Sequence, residues 1–213
     1  MFPEYDAGWD VPQRKDYHPE GNVWIHQQLC IEKACDYKAD KLTKFAGMVH
    51  DFGKSISYNK FMTLNGHEDA GVDIVKSFCQ RLKIPNEYRD IGVLTTRYHT
   101  HIHNILGIKP STILRVFDET KALIKTERFN KILLACKCDA QGRGEPFSTQ
   151  DYPEEQIAKE LLEAVRLVDT KAISAKLLSE GKEGLVIGNA IHQAKIKAIK
   201  DKMRELKNEF SKC

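Results

Sequence analysis

No run of eighteen apolar residues occurs anywhere in this 213-residue chain, which excludes a helix able to span a membrane. The opening MFPEYDAGWDVPQ lacks the basic start and apolar stretch of a secretory signal. Cysteine is sparse and irregular: Cys30, Cys35, Cys79, Cys136, Cys138 and Cys213 form no CxxC pair and no regular framework. Most of them sit in helix-like apolar stretches, where a free thiol packs as a small hydrophobe, so a reducing, cytoplasmic compartment is expected. Charge of one sign is also missing in bulk. Charged residues make up 30% of the chain, yet the net charge is only +3. That excess neither demands a nucleic-acid partner nor excludes one. There is no convincing alternating strand pattern and no internal repeat.

What is present is helical periodicity. Apolar groups recur at spacings of three and four over residues 22–36 and again over 41–50, the second ending near Gly53, a residue that commonly closes a helix. Residues 68–82 are amphipathic and stop before Pro85; Asn86 can cap a helix running to about His103. Pro110 opens PSTILRVFDET, and 127–140 is strongly apolar. The stretch PFSTQDYP, 146–153, looks like a boundary loop, followed by PEEQIAKELLEAVRLV and the long basic GNAIHQAKIKAIKDKMRELKNEF. The expected architecture is all-α, a core bundle over 1–145 and a helical tail over 146–213. At this length the chain holds about one to one and a half domains.

Eight histidines are not many; their placement is the signal. Six fall between residues 26 and 103: His26, His50, His67, His99, His101 and His103. Histidine is the commonest protein metal ligand, and a neighbouring carboxylate adds hard oxygen and negative charge. His26 sits mid-helix among Trp24, Ile25 and Leu29, either as a ligand or as a core histidine bonded to a carbonyl. His50 and Asp51 project about 100° apart on a helix, so both meet one ion only where the helix ends. Asp139 follows the apolar LLACKC; a carboxylate there needs a cation or a lysine, because an unpaired buried charge is costly. His99 and His103 share a helix face; either they extend the site toward a second ion or a phosphate, or they are two polar residues at a helix end. His101 and Arg97 fall on the other side and are expected in solvent.

Gly53-Lys54-Ser55 imitates the end of a phosphate-cradling loop. The first glycine of that pattern falls at Met48, with Gly47 one place off, and a helix-like segment stands where a buried strand is required. Lys54 reads better as a phosphate contact beside a metal.

His26, then His50-Asp51, then Asp139 resemble the H…HD…D signature of the HD-domain phosphohydrolases. HPEGNVWIHQQL (18–29), HDFGK (50–54), GHEDAG (66–71), RLKIPNEYRD (81–90) and CDAQGR (138–143) look like the C-terminal HD domain of bacterial multifunctional CCA-adding tRNA nucleotidyltransferases. FPEYDAGWDVPQ and GKEGLVIGNAIHQAKIKAI (181–199) resemble the flanks of that domain, so the likeness covers almost the whole chain. The family's nucleotide-adding head has no counterpart before residue 18, and this chain is not expected to add nucleotides by itself. It is either a stand-alone HD protein, as Met1 favours, or a fragment of a longer enzyme.

The resemblance implies an all-helical HD fold and metal-dependent 2′,3′-cyclic phosphodiesterase, 2′-nucleotidase and phosphatase chemistry. It makes His26, His50, Asp51 and Asp139 the ligands of a divalent ion. Mixed nitrogen and oxygen donors suit Mn, Ni, Co, Fe or Mg better than a structural zinc. Such an ion acidifies bound water and polarises a phosphoryl oxygen. Lys54 would neutralise phosphate charge, Arg143 would fork onto two of its oxygens, and Asp51 would orient the water. His67 and His99, with His103, would contact substrate or recruit a second ion ~4 Å from the first.

The implied partner is a nucleotide or RNA 3′ end, tRNA included; no membrane is involved and a homodimer is open. Lys195, Lys197, Lys200, Lys202 and Lys207 either grip tRNA phosphates or form a solvated face. Two rival readings are a hydrolase of a small signalling nucleotide and a non-catalytic tRNA-binding module.

Overall fold

The structure is a computed structural model that describes residues 2–210, the side chain of Phe210 excepted; Cys213 lies outside these residues. Helices follow one another along the chain: α1 (Pro3–Asp6), α2 (Val23–Asp36), α3 (Lys41–Val49), α4 (Gly53–Phe61), α5 (His67–Arg81), α6 (Asn86–His103), α7 (Pro110–Thr120), α8 (Thr126–Gln141), α9 (Glu154–Arg166), α10 (Thr170–Ser179) and α11 (Leu185–Phe210). A 3-10 turn, Phe147–Thr149, lies in the PFSTQDYP stretch. Among the described residues there is no strand, only an isolated bridge between Pro12 and Asn22. No helix of the described residues is long and apolar enough to cross a membrane.

The local reasons are visible in the caps. The Asn22 side chain accepts from the Ile25 amide at 2.8 Å to start α2, and Asp40 accepts from Thr43 at 2.9 Å to start α3. Each such cap contributes about 1 kcal/mol. Two helices carried no periodic signal. The sequence of α4, GKSISYNKF, is mostly polar; α10 has no buried residue and is marked only by its cap, Asp169 on the Ala172 amide.

Gly53 does not end α3. That helix stops at Val49, and Gly53 is the first residue of α4. Its lack of a side chain serves close packing: a Cβ there would lie 1.9 Å from the His67 carbonyl oxygen and 2.5 Å from the Gly71 nitrogen of α5. The stretch before Gly53-Lys54-Ser55 is a helix and a short turn, so the phosphate-loop geometry is absent.

The chain divides into two compact units, Met1–His103 with Glu127–Tyr152, and Asn104–Thr126 with Pro153–Cys213. The first packs α5 on α4 and α6, and α3 on α2 and α6. One of its cores is Val49, Phe52, Val75, Phe78 and Cys79. The second packs α11 on α7, α9 and α10. The expected cut at 145/146 therefore differs from the division into compact units: α7, which packs on α11, groups with the C-terminal helices. On α11, Lys197 is paired with Asp201, and Lys202 with Glu160 at 3.0 Å and Glu205, so part of that basic surface is already neutralised.

Candidate metal centre

The candidate metal and phosphate residues all lie in the first unit, and the α11 lysines in the second. His26 comes from α2, His50 and Asp51 from the turn after α3, Lys54 from the first turn of α4, and His67 from the first residue of α5. His99 and His103 come from the last turns of α6, and Asp139 from the end of α8. The turn is what lets His50 and Asp51 share a target. Phe52 is buried edge-on against Phe78, ring centres 5.3 Å apart, which pins the backbone between the two helices.

Two carboxylates form the centre and five imidazoles surround them. His26 Nε2 is 3.0 Å from Asp139 Oδ1 and 3.7 Å from Asp51 Oδ2. His50 Nε2 is 3.2 Å from Asp51 Oδ2 and 3.5 Å from Asp139 Oδ2. His67 and His99 approach Asp51 Oδ1 at 3.5 and 3.6 Å, and His103 Nε2 reaches Asp139 Oδ2 at 2.7 Å. The Asp139 neighbours in this cluster are imidazoles rather than a lysine; Lys54 sits 2.6 Å from Asp51 Oδ2 and donates to Gln13 Oε1 at 2.7 Å. Lys54 is thus an internal counter-charge as well as a pocket residue.

The far side of each ring decides what faces inward. Nδ1 lies against a backbone carbonyl in His50 (Gly47, 2.7 Å), His67 (Leu64, 2.7 Å), His99 (Thr96, 3.0 Å) and His26 (Gly142, 3.1 Å). A carbonyl only accepts, so Nδ1 carries the hydrogen and the neutral ring offers its Nε2 lone pair to the centre. His67 Nε2 and His99 Nε2 face each other at 3.2 Å, two lone pairs that repel unless a proton or cation lies between them. His50 Nε2 and both Asp51 oxygens are buried without an aligned hydrogen bond; the Lys54 contact on Asp51 is ionic, off hydrogen-bond angle. His103 differs, with Nδ1 on the Tyr152 hydroxyl at 2.9 Å.

Protonation follows this crowding. Burial disfavours charge on His50, but Asp51 and Asp139 outweigh it and push its pKa up to about 10. His26 is raised too, burial again being outweighed by its bonds to Asp139 and Glu20. Burial opposes ionisation of Asp51 and Asp139, yet the His50 charge holds both well below the ordinary carboxylate range. Burial, then the charge of His50, drives His99 well down. A divalent ion fits this set: orphaned nitrogen and oxygen donors of both hardnesses, converging in a buried space. Among the described residues, His26, Cys30, His50 and Asp139 form one group of donors close enough to hold an ion, and His50, Asp51 and His99 form an adjoining one.

The centre opens into a pocket of about 380 Å³ lined by Lys54, His67, His99, His103, Asp139 and Arg143, among others. Arg143 Nε is buried without a hydrogen-bond partner. A larger groove of about 670 Å³ between α5 and α6 contains none of these residues. Arg97 and His101, expected in solvent, are half-buried, and His101 meets Tyr98 edge-on at 5.5 Å. Sequence reasoning assigned no role to Gln13, His18, Glu20 or Tyr152. The HPEG motif was legible; its place behind His26 was not. Nothing local marked Gln13 or Tyr152.

The HD domain family model matches residues 16–141. Curated relatives named "Multifunctional CCA protein" include one from Burkholderia vietnamiensis (strain G4 / LMG 22486), 35% identical over 201 residues, covering 94% of this chain and 48% of the relative. Those from Paraburkholderia phymatum (34% over 206 residues, 96% and 48%) and Laribacter hongkongensis (38% over 176 residues, 82% and 43%) are similar. The chain spans about half the length of these relatives. No solved structure matches it. With the family model covering more than half of the chain, and the centre built as above, the chain belongs to the HD-domain family, and with it to the metal-dependent hydrolases.

Proposed function

We propose that this protein hydrolyses 2′,3′-cyclic phosphates and phosphomonoesters at the ends of nucleotides or RNA, tRNA 3′ ends among them. The observation that carries the reading is the junction of the centre with the pocket: unsatisfied donors on one side, the uncommitted Arg143 Nε on the other. A bound divalent ion supplies Lewis acidity and an acidified water. His26, His50, Asp51 and Asp139 would hold it. Asp51, whose Oδ1 faces His67 and His99, orients the attacking water. Lys54 and Arg143 balance the phosphate charge, the latter with its planar fork. His67 and His99, with Nε2 lone pairs facing the centre, would hold a second ion, or a phosphoryl oxygen where one of the two carries a proton on Nε2. On a cyclic phosphate, water oxygen bonds to phosphorus, one ribose P–O bond breaks, and the released oxygen takes a proton. The likeness to CCA proteins supports an RNA end as substrate.

The test is turnover of 2′,3′-cAMP, p-nitrophenyl phosphate and a cyclic dinucleotide by the full chain with Mn, Ni, Co or Mg, beside Asp51→Ala. Expected is cleavage of the first two and its loss in the variant. Turnover of the cyclic dinucleotide alone overturns the reading in favour of a signalling substrate. No turnover with tRNA still retarded on a gel makes the chain a binding module.

A further inference from the structure

The loop 12–22 runs from the Pro12–Asn22 bridge over the back of the centre, closed by Gln13 N donating to Gly21 O at 2.9 Å and by Val23 N to Val11 O at 3.1 Å. Gly21 sits at φ +94°, a conformation glycine adopts without strain, and this reversal turns Glu20 inward. The Glu20 side chain is only 2% exposed. Its Oε1 lies 2.9 Å from His26 Nδ1, an ionic contact beside the Gly142 hydrogen bond, and 2.8 Å from His18 Nδ1, while Oε2 is buried with no hydrogen-bond partner.

Of the four rings whose Nδ1 meets a backbone carbonyl, two also have a carboxylate beside that nitrogen: Glu20 close behind His26 at 2.9 Å and Glu68, farther off, at 3.6 Å from His67. A carboxylate behind an imidazole fixes its tautomer and makes the opposite nitrogen a stronger donor to a cation. A buried anion with one oxygen unsatisfied is costly unless a positive charge answers it. The buried charges state what that charge must be. Asp51, Asp139 and Glu20 are three carboxylates; Lys54 is one ammonium. The half-buried pocket residues Glu68 and Arg143 cancel, so the deficit of two remains, and one divalent ion with every imidazole neutral meets it.

We infer that Glu20 is a positioning residue for the metal centre: through His26 it orients the ligand, and its charge completes the electroneutrality of the site with a divalent ion bound. The inference rests on the metal-dependent reading of the centre. His18, on the pocket wall, shares Glu20 and holds it from the other side.

The test is the affinity of the full chain for Mn(II) and Co(II), by calorimetry and by the visible spectrum of bound Co(II), in wild type and Glu20→Gln. Glutamine keeps the shape and can still face His26, but removes the charge. Expected is a 10–100-fold loss of affinity, a shifted Co(II) spectrum, and a metal-free circular dichroism spectrum like that of wild type. Glu20→Asp, which keeps the charge, should recover part of the affinity. Equal affinity and an unchanged Co(II) spectrum in Glu20→Gln overturn the inference. Should that variant not fold, the wild-type ring is read by ¹⁵N–¹H correlation: hydrogen on Nδ1 of His26 with Nε2 responding to the ion supports the role, and hydrogen on Nε2 overturns it. Failure of the proposed activity is separable, since it would leave these affinities intact.

Discussion

Gly53 offers a severe test of how the centre is assembled. A methyl group there would sit 1.9 Å from the His67 carbonyl oxygen, where ordinary contact begins near 3.4 Å, so α4 and α5 must separate by about 1.5 Å. The obstacle is backbone and cannot turn aside as a side chain can. Overpacking a side-chain core costs roughly 1–3 kcal/mol, and this site belongs at or above that limit, about 3–5 kcal/mol. That is a large share of the roughly 5–15 kcal/mol that holds a domain together. Gly47, in the same motif, is the control: within α3 a Cβ there meets nothing within 4 Å, and alanine favours a helix over glycine by about 0.5–1 kcal/mol. Urea unfolding followed by circular dichroism should therefore show Gly53→Ala strongly destabilised and Gly47→Ala unchanged or improved. Because the separation moves Asp51 and Lys54 away from His67, Gly53→Ala should also weaken Co(II) binding. A Gly53→Ala midpoint matching wild type, with full metal affinity, would refute the packing argument.

Three further outcomes are expected. Mn(II) or Co(II) at a hundred times its Kd should stabilise the wild type by about 2.7 kcal/mol, seen as a higher Tm, and should do nothing for Asp139→Ala; a wild type indifferent to every ion would falsify the metal centre. Metal binding should weaken as pH falls, because His50, pushed up to about 10, keeps a proton that the ion must displace; calorimetry should show Kd rising about tenfold per unit between pH 9 and 7, and a flat profile would contradict it. The same shift has the opposite reading in the metal-free protein, where its stabilisation is complete below the ordinary value of 6.5 and is lost as pH rises through about 10. Lys121 closes α7 at φ +53°, where a Cβ is strained, so Lys121→Gly should gain up to about 1 kcal/mol in thermal unfolding; a loss would show that its side chain matters more than its backbone.

The helices were legible where their signals are local. Asn22 and Asp40 as caps, Pro110 at a first turn and the three-four spacing over 127–140 each act within a few residues. The misreadings are equally physical. Gly53 has the composition of a helix stop and the job of a packing surface, and only its distance to α5 tells them apart. Polar α4 has no apolar face to announce it. The segment 104–126 sits between parts of the first unit in sequence, yet packs with the helices after 153.

The sequence alone determined the all-helical class and the family, and it named the H…HD…D residues that the fold brings together, because residue type and short spacing carry that information. Tertiary structure alone decided which nitrogen of each ring faces the centre, that Lys54 answers Asp51, and that Glu20 stands behind His26. Those facts depend on contacts such as His26 with Asp139, separated by 113 residues. Over such a separation, proximity is set by the packing of the whole helical frame rather than by any pattern along the chain.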